Sequence, residues 1–428
     1  MLPSHSQLSR LTEPNFFVWA TGIEDTFITA PWPATGRTLD EYELTGHYDR
    51  WESDLSLAAS LGVKAIRYGV PWHKIQPEPN RWDFSFADKT LNRLLDLGID
   101  PIVDLVHYGL PPWLDGAYFN PDYPARVAEY AHCLLSRFRG RLRWYTPLNE
   151  PRITAWYCGR LGWWPPFAHG WRGFARVMLQ VCRGIVQTVQ AAQAVDSELV
   201  ACHVDATDLY TPADPSDAKL TDEAETRQEL VFLALDLISG RVQSGSPLSS
   251  WLLGHGVEEA ELAWFRENAV TLDTVGLNLY PMFTQKRVYR TRQGAVRVRN
   301  VPADGSLLVD LGQKYHSRYN CPLLVTETAG RGSVKRRERW LSESVAAVRL
   351  LRETGVPLVG YTWWPMFSLV AWAYRQGNRP ASAYLERMGL WDLTGSDLER
   401  IETQIVHTYR KYIQNSEELV GSLVSNIS

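Results

Sequence analysis

The sequence has few of the features that mark disulfide-rich, membrane-spanning or secreted proteins. Its 428 residues include only five cysteines, none in a CxxC pair or at a metal-ligand spacing. An odd number of cysteines in a long chain argues against a disulfide framework and favours reduced thiols. No apolar run reaches the roughly 18 residues that cross a bilayer. Residues 1–13 are polar and lack the apolar core of a signal peptide. These absences predict a soluble cytoplasmic protein with no membrane partner.

An excess of charge of one sign is also missing. The 44 basic and 48 acidic residues give a formal net charge of −4, and no basic arm or face stands out. Nucleic acid is therefore not expected as a partner. The histidines lie apart from one another and form no clear ligand cluster, so the sequence predicts no metal and no cofactor. No pattern in the sequence indicates an oligomeric state.

Aromatic residues, by contrast, are abundant, with 18 Trp, 19 Tyr and 13 Phe. Most are expected to fill a large core, but seven tryptophans lie in predicted loops or at predicted strand ends: Trp32, Trp72, Trp113, Trp163, Trp164, Trp364 and Trp372. The flat C–H face of a sugar ring packs well on an aromatic face, and an indole N–H can serve a hydroxyl. This placement favours a carbohydrate ligand.

Short β-branched or apolar runs alternate with longer segments of helical periodicity. The predicted strands are Phe16–Ala20, Val63–Val70, Pro101–Val106, Arg143–Leu148, Leu199–Val204, Thr274–Leu279, Pro322–Thr326 and Leu358–Trp363. The predicted helices are Asp49–Leu61, Phe84–Leu97, Pro124–Phe138, Trp171–Ala194, Asp222–Ser239, Ser306–Tyr319, Val334–Glu353 and Asp397–Asn415. This alternation predicts an α/β protein, a single (β/α)8 TIM barrel over residues 1–428.

The segment at about 280–308 is the least regular part of the chain. It alternates like a hairpin around Gln293-Gly294 and is rich in arginine. We interpret it as an insertion after the sixth strand, above the mouth of the barrel. A substrate-binding role and an ordinary charged surface hairpin are equally good explanations for it.

Two glutamates stand at predicted strand ends, where a barrel of this kind carries its catalytic groups. Glu150 follows the fourth strand and Glu327 ends the seventh. Acetal cleavage needs one protonated carboxyl for the leaving oxygen and one ionised carboxylate for the anomeric carbon. A structural ion pair would explain either glutamate alone. Because both lie in polar clusters at the same end of the barrel, the pair favours glycoside hydrolysis.

Each glutamate lies in a longer motif. Thr146-Pro147-Leu148-Asn149-Glu150-Pro151 and Leu324-Val325-Thr326-Glu327-Thr328-Ala329-Gly330 resemble the acid/base and nucleophile segments of glycoside hydrolase family 1, the β-glucosidase-like family. Residues 66–77, 105–111, 276–280 and 360–364 resemble the strand-two, strand-three, strand-six and strand-eight signatures of that family. The similar segments run in the family's order from about residue 16 to residue 392. The chain is thus identified as a member of this family or of a close relative in its clan of retaining glycosidases.

The resemblance implies a role for each matching residue. Glu327 would attack the anomeric carbon, and Glu150 would protonate the leaving group and then deprotonate water. Arg67 and Tyr280 would hold Glu327 ionised, since a cation and a hydroxyl donor favour the charged carboxylate. The implied substrate-binding residues are His107, Asn149, Asn278, Trp364, Trp372 and Glu24.

The sequence departs from the family at the glycone end. Ala371 stands where the family has a glutamate that binds the glycone's 4- and 6-hydroxyls, although Trp372 is kept. The glutamine expected after the first strand is not evident, and Glu24 or Asp25 is the candidate substitute. Tyr108-Gly109 replaces a Trp-Asp pair after the third strand. The loss of a strong acceptor predicts a glycone that lacks a polar 6-position or binds in another orientation.

The sequence therefore predicts cleavage of a β-glycosidic bond with retention, on an altered glycone. Three alternatives stay open on the sequence. The protein could act inside a polysaccharide, could transfer the glycosyl unit to an acceptor other than water, or could be a non-catalytic carbohydrate-binding protein on the same barrel. Retention of both glutamates with Arg67, Asn149, Asn278 and Tyr280 argues against the last of these.

Overall fold

A closed barrel of eight parallel strands lies at the centre of the computed structural model, which describes residues 10–416. Each strand pairs with its neighbours in chain order, and the first pairs with the eighth. The strands are β1 (Val18–Gly22), β2 (Ala65–Gly69), β3 (Asp100–Asp104), β4 (Trp144–Thr146), β5 (Val200–Ala206), β6 (Thr274–Asn278), β7 (Leu323–Thr328) and β8 (Leu358–Trp363). The predicted TIM barrel is confirmed.

Within residues 10–416, eight helices surround the barrel, one after each strand. They are α1 (His47–Ser60), α2 (Ser85–Asp96), α3 (Tyr123–Arg137), α4 (Gly170–Val195), α5 (Ala218–Ile238), α6 (Ser306–Tyr319), α7 (Val334–Glu353) and α8 (Gln404–Gln414). Gly62 and Gly98 follow α1 and α2 with φ of +84° and +71°. Glycine adopts this left-handed conformation without a steric penalty, so the repeated Leu-Gly pair ends each helix and turns the backbone toward the next strand.

Side chains fill the half of the barrel that lies toward the amino-terminal ends of the strands. This leaves the carboxyl ends of the strands to line a cup at the other end. Small and apolar residues from seven strands pack inside it, among them Ala65, Ile102, Trp144, Val200 and Leu324. Leu11 and Phe16 join this cluster from the segment before β1. Because the helices cover the outside of the barrel, strands such as β2 and β7 are buried on both faces.

Shorter elements connect these units. The helical segments are Glu41–Leu44, Trp72–Ile75, Ala117–Phe119, Pro151–Ala155, Trp156–Arg160, Pro247–Gly254, Glu259–Glu267, Trp372–Gln376 and Ala381–Tyr384. The additional strands are Phe27–Ile28, Leu39–Asp40, Leu209–Pro212, Gln285–Arg290, Val296–Asn300, Leu369–Val370, Leu385–Glu386, Trp391–Thr394 and Glu399–Glu402. No helix in the described part of the chain is both long and apolar enough to cross a membrane.

The predicted final helix, 397–415, is wrong over its first part. Helix α8 begins at Gln404, and Glu399–Glu402 is instead a strand paired antiparallel with Trp391–Thr394. Gly395, at φ +72°, makes the turn between the two strands. The polar residues of this turn resemble a helix start in sequence, and only the pairing with Trp391–Thr394 identifies a strand. Helices Pro247–Gly254 and Glu259–Glu267 were not predicted.

The irregular segment after β6 forms the expected hairpin. Gln285–Arg290 pairs antiparallel with Val296–Asn300, and Leu209–Pro212 adds a third strand parallel to the first. Val288 packs on Leu220 and Ala224 of α5, which fixes the hairpin to the barrel wall. The single-domain organisation stays a prediction, and its residues 1–9 and 417–428 lie outside the described residues.

Candidate active site

The carboxyl ends of the strands bring the predicted catalytic residues into one cup. Arg67 lies on β2, Asn278 ends β6 and Glu327 lies on β7, and all three are buried. Asn149 and Glu150 follow β4, where their backbone N–H groups donate to Val106 and Val204 at 2.8 and 3.1 Å. These bonds hold the segment between the ends of β3 and β5.

Both oxygens of Glu327 are held by donors. The Tyr280 hydroxyl donates to Oε2 at 2.8 Å, and Nη1 of Arg67 donates to Oε1. Burial raises the pKa of Glu327, while the Arg67 charge acts against that rise. These two donors orient the carboxylate and favour its ionised form against the effect of burial.

Arg67 connects Glu327 to the rest of the cup. Its Nη2 donates to Oδ1 of Asn149 at 2.6 Å and also to Asp104 on β3. Its guanidinium lies over the ring of Trp364, 4.9 Å from the ring centroid. A buried guanidinium needs paired charges and acceptors, and here Asp104 and Glu327 supply them.

Glu150 has a different environment. Its Oε1 accepts from Nδ2 of Asn278 at 2.9 Å, and its Oε2 accepts from the Tyr108 hydroxyl. Burial, followed by the charge of Glu327, raises the pKa of Glu150 to about 7. Two buried carboxylates with different partners are the arrangement that separates an acid from a nucleophile.

Glu150 and Tyr108 both have an unusual backbone conformation. Their φ values are +47° and +67°, in the left-handed region that bulky residues rarely adopt. Such conformations cost on the order of 1–3 kcal/mol and persist where the surrounding structure fixes them, often at functional sites. The Tyr118 hydroxyl donates to the Tyr108 carbonyl at 2.9 Å and helps to hold this turn.

His107 forms a second polar cluster beside Arg67. Because Oδ1 of Asn149 accepts from Arg67, Nδ2 of Asn149 faces Nε2 of His107, 2.9 Å away. Nδ1 of His107 lies 3.1 Å from Asp104 and also pairs with Asp25. Burial lowers the pKa of His107, but the charge of Asp25 and the hydrogen bonds to Asp104 and Asp25 raise it well above its usual range. Within the described residues, Asp25, Asp104 and His107 form a group with the spacing of metal ligands. Asp104, one member of this group, is already paired with the positive charge of Arg67.

Trp364 forms one wall of the cup. Its ring is stacked on the His107 ring, with centroids 5.8 Å apart and an interplanar angle of 8°. A Cβ on Gly22 would lie 2.0 Å from the indole, so this packing requires glycine there. The indole Nε1 donates to Oε2 of Glu24 at 3.2 Å, and the Thr26 hydroxyl donates to Oε1 at 2.6 Å.

Trp372 lies in an aromatic cluster with Tyr108, Tyr157 and Trp164. The Trp372 ring centroid is 5.4 Å from that of Tyr108 and 5.1 Å from that of Trp164. Tyr157 stacks on Trp164 at 4.5 Å. The structure thus joins nine of the ten predicted site residues in one network of polar and ring contacts, while Trp372 meets that network through Tyr108.

Three residues in or beside the cup, Tyr108, Asp104 and Glu41, were not among the predicted site residues, and Asp25 was named only as an alternative to Glu24. Tyr108 contacts Glu150, and Asp25 and Asp104 pair with His107 or Arg67. Glu41 is buried beside the β8 loop, where its Oε2 accepts from the Val370 N–H at 3.1 Å. The departure at Tyr108 was a usable sequence signal. Glu41 offered none, because it lies in a connection between β1 and α1 with no recognised motif.

Comparisons with known proteins find similar sequences and a similar fold. The model of a family described as Glycosyl hydrolase family 1 matches residues 20–290. A "Bifunctional beta-D-glucosidase/beta-D-fucosidase" from Bifidobacterium breve is 26% identical over 432 residues, which cover 89% of this chain and 88% of the relative. "Beta-glucosidase A" from Thermotoga maritima is 35% identical over 115 residues, or 26% of each chain. The solved structure "Family 1 b-glucosidase from Thermotoga maritima" has a similar fold, with a TM-score of 0.80 at 22% identity over 94% of this chain and 98% of that one.

Proposed function

The chain belongs to glycosyl hydrolase family 1, and from that premise we propose that it is a retaining β-glycosidase with Glu327 as nucleophile and Glu150 as acid/base. The observation that carries the assignment is the contrast between the two carboxyl groups. Glu327 accepts from Arg67 and Tyr280, which favours the charged form, whereas Glu150 has a pKa of about 7. One group suits attack and the other suits proton transfer.

The reaction then proceeds in two steps. A Glu327 oxygen forms a bond to the anomeric carbon as the bond to the aglycone oxygen breaks, and the Glu150 proton goes to that oxygen. In the second step water attacks the same carbon, Glu150 takes a proton from the water, and the bond to Glu327 breaks. Two inversions at one carbon retain its configuration.

The substrate-binding roles follow from position in the cup. Asn149 lies beside Glu150 and is proposed to bind the 2-hydroxyl, a contact that strengthens in the transition state. His107 is proposed to bind the 3-hydroxyl, and Trp364 to pack against the sugar ring. Asn278 orients Glu150 through its 2.9 Å bond. Trp372 is proposed to shape the entrance together with Tyr108.

The glycone is proposed to differ from that of a typical family 1 enzyme at its 6-position. Ala371 presents a methyl group where family 1 enzymes place a carboxylate. The relative from Bifidobacterium breve is named as both a β-glucosidase and a β-fucosidase, and D-fucose carries a methyl group in place of the 6-hydroxymethyl. Both observations support a glycone end that tolerates an apolar 6-position.

A cytoplasmic location is supported by five cysteines that form no disulfide.

The test is hydrolysis of a panel of nitrophenyl β-glycosides, including fucosides and pentosides, by the wild type and by Glu327→Ala. We expect the wild type to hydrolyse at least one glycoside and the variant to lose about 10⁴-fold or more of kcat. Glu353→Ala, at an exposed position at the end of α7, is the matched control. Proton NMR of the first sugar released should show the β-anomer. Equal rates for wild type and Glu327→Ala would contradict the proposal.

A further inference from the structure

We propose that Glu41 binds the 4-hydroxyl of the glycone, so that the connection between β1 and α1 supplies a carboxyl group in place of the β8-loop glutamate that Ala371 replaces. The inference rests on the proposed function and identifies the residue that gives the glycone end its specificity. It concerns a residue far from the family's motifs, in the short helix Glu41–Leu44.

Glu41 shares its backbone setting with Glu24. The strand Leu39–Asp40 pairs with Phe27–Ile28, and the N–H of Glu41 donates to the Thr26 carbonyl at 3.1 Å. The Thr26 hydroxyl in turn donates to Glu24. The two carboxyl groups are thus attached to one folded connection, and Glu24 lies at the edge of the Trp364 indole.

The side chain of Glu41 reaches the loop that follows β8. Its Oε2 accepts from the N–H of Val370, the residue immediately before Ala371. A close approach between two other loops supports this placement. Gly109 has no Cβ, and a Cβ there would lie 1.5 Å from the Phe27 carbonyl oxygen. Gly109 and Ala371 are both departures from the family pattern. Gly109 lies against the connection that carries Glu24 and Glu41, and Ala371 follows Val370, whose N–H donates to Glu41.

The other oxygen of Glu41 is unused. Oε1 is buried and has no hydrogen-bond partner among the described residues. A buried polar atom without a partner costs about 1–3 kcal/mol, so a glutamate with a purely structural role would be expected to satisfy both oxygens. The charged groups that act on Glu41 most strongly are Glu24, Asp40 and His107, of which Glu24 and His107 belong to the cup. Hydrogen bonds through Thr26 and Glu24 join Glu41 to the Trp364 wall of the cup, and in the proposed complex a glycone hydroxyl supplies the partner that Oε1 lacks.

The ionisation of Glu41 suits a hydroxyl ligand. Burial, with the charge of Glu24 next, raises the pKa of Glu41 well above its usual range. A carboxyl group that keeps its proton can both donate to a hydroxyl and accept from one. This dual capacity matches an uncharged sugar hydroxyl.

The order of residues around the cup selects the 4-hydroxyl. On a pyranose ring the 2-, 3- and 4-hydroxyls follow one another away from the anomeric carbon. Asn149 follows β4 and His107 follows β3, which gives the proposed partners of the 2- and 3-hydroxyls in the same order. Continuing in that direction around the barrel passes β2, whose Arg67 is paired with Glu327, and reaches the connection after β1 that carries Glu24 and Glu41.

The experiment compares the glycoside that the wild type hydrolyses fastest with its 4-deoxy analogue, using Glu41→Met and Glu41→Gln. Methionine keeps the length of the side chain without its acceptors, and glutamine restores a donor and an acceptor. We expect Glu41→Met to lower kcat/KM about 10- to 100-fold on the 4-hydroxy substrate and less than about 3-fold on the 4-deoxy one. Glu41→Gln should recover most of this loss. The matched control is Glu43→Gln, an exposed change on the same helix.

Equal losses of kcat/KM on the two substrates would overturn the inference, because they would indicate a structural role. No loss in Glu41→Met would also overturn it. If Glu41→Met does not fold, Glu41→Ala takes its place, and equal losses of kcat/KM on the two substrates then overturn the inference. Failure of the proposed function is distinct, because wild type and Glu327→Ala would then behave alike on every glycoside.

Discussion

The two sides of the cup differ in how their polar groups are satisfied. On the β4, β6 and β7 side, Glu327 and Glu150 have donors on both oxygens, and three of the four donors, Arg67, Tyr280 and Asn278, match the family's motifs. On the β1 and β8 side, both oxygens of Glu24 have donors, but Ala371 replaces a carboxylate and Oε1 of Glu41 has no hydrogen-bond partner among the described residues. The comparison indicates that the reaction constrains one side closely, since bond making and breaking need fixed geometry, while recognition of the glycone can be reassigned to other loops.

On the catalytic side, the variant with the largest expected effect is Glu150→Ala. We expect kcat/KM to fall about 10²- to 10⁴-fold on glycosides with poor leaving groups, because no group would then protonate the departing oxygen. Activated dinitrophenyl glycosides should lose much less in the first step. The measurement is kcat/KM across leaving groups of different pKa, with wild type as reference. Equal losses on all leaving groups would remove the acid role from Glu150.

On the glycone side, Ala371→Glu should sharpen the contrast by restoring the family's carboxylate. We expect the preference for a 6-hydroxyl over a 6-deoxy glycone, measured as the ratio of kcat/KM values, to rise about 3- to 10-fold. Ala383→Glu, at an exposed position in Ala381–Tyr384, controls for added charge. An unchanged ratio would show that residue 371 does not face the 6-position.

The smallest expected effect comes from Tyr108→Phe. The Tyr108 hydroxyl donates to Glu150 and so favours its ionised form, which lowers the pKa of Glu150 against the rise caused by burial. Activity requires protonated Glu150 and is lost as the pH rises through its pKa, near 7 in the native enzyme. Removing the hydroxyl should raise that pKa and move the alkaline limb of the kcat/KM profile to higher pH.

The pH profile of kcat/KM from pH 4 to 10 measures this shift, and Tyr289→Phe on the hairpin Gln285–Arg290 is the control. A limb that moved to lower pH would contradict the role of Tyr108. The variant also tests the distinction between the catalytic side and the glycone side of the cup. Tyr108 departs from the family pattern and nevertheless contacts the catalytic residue Glu150.

Much of the fold was predictable because its signals are local. Buried strands such as β8 and helices such as α6 and α7 were predicted with the observed bounds, since apolar runs and helical periodicity specify them. The start of the last helix was not predictable, because the strand Glu399–Glu402 exists only through pairing with Trp391–Thr394. Strand propensity depends on such partners more than helix propensity does.

The sequence by itself determined the barrel and the two glutamates, because each motif is contiguous and lies at a strand end whose position the barrel fixes. The tertiary structure decided which side chains surround them. Arg67 meets Glu327 across 260 positions, and Val370 meets Glu41 across 329. The first contact could be expected because both residues lie in recognisable motifs. The second could not, because the path of the β1–α1 connection depends on close approaches such as that of Gly109 to Phe27, which no local pattern encodes.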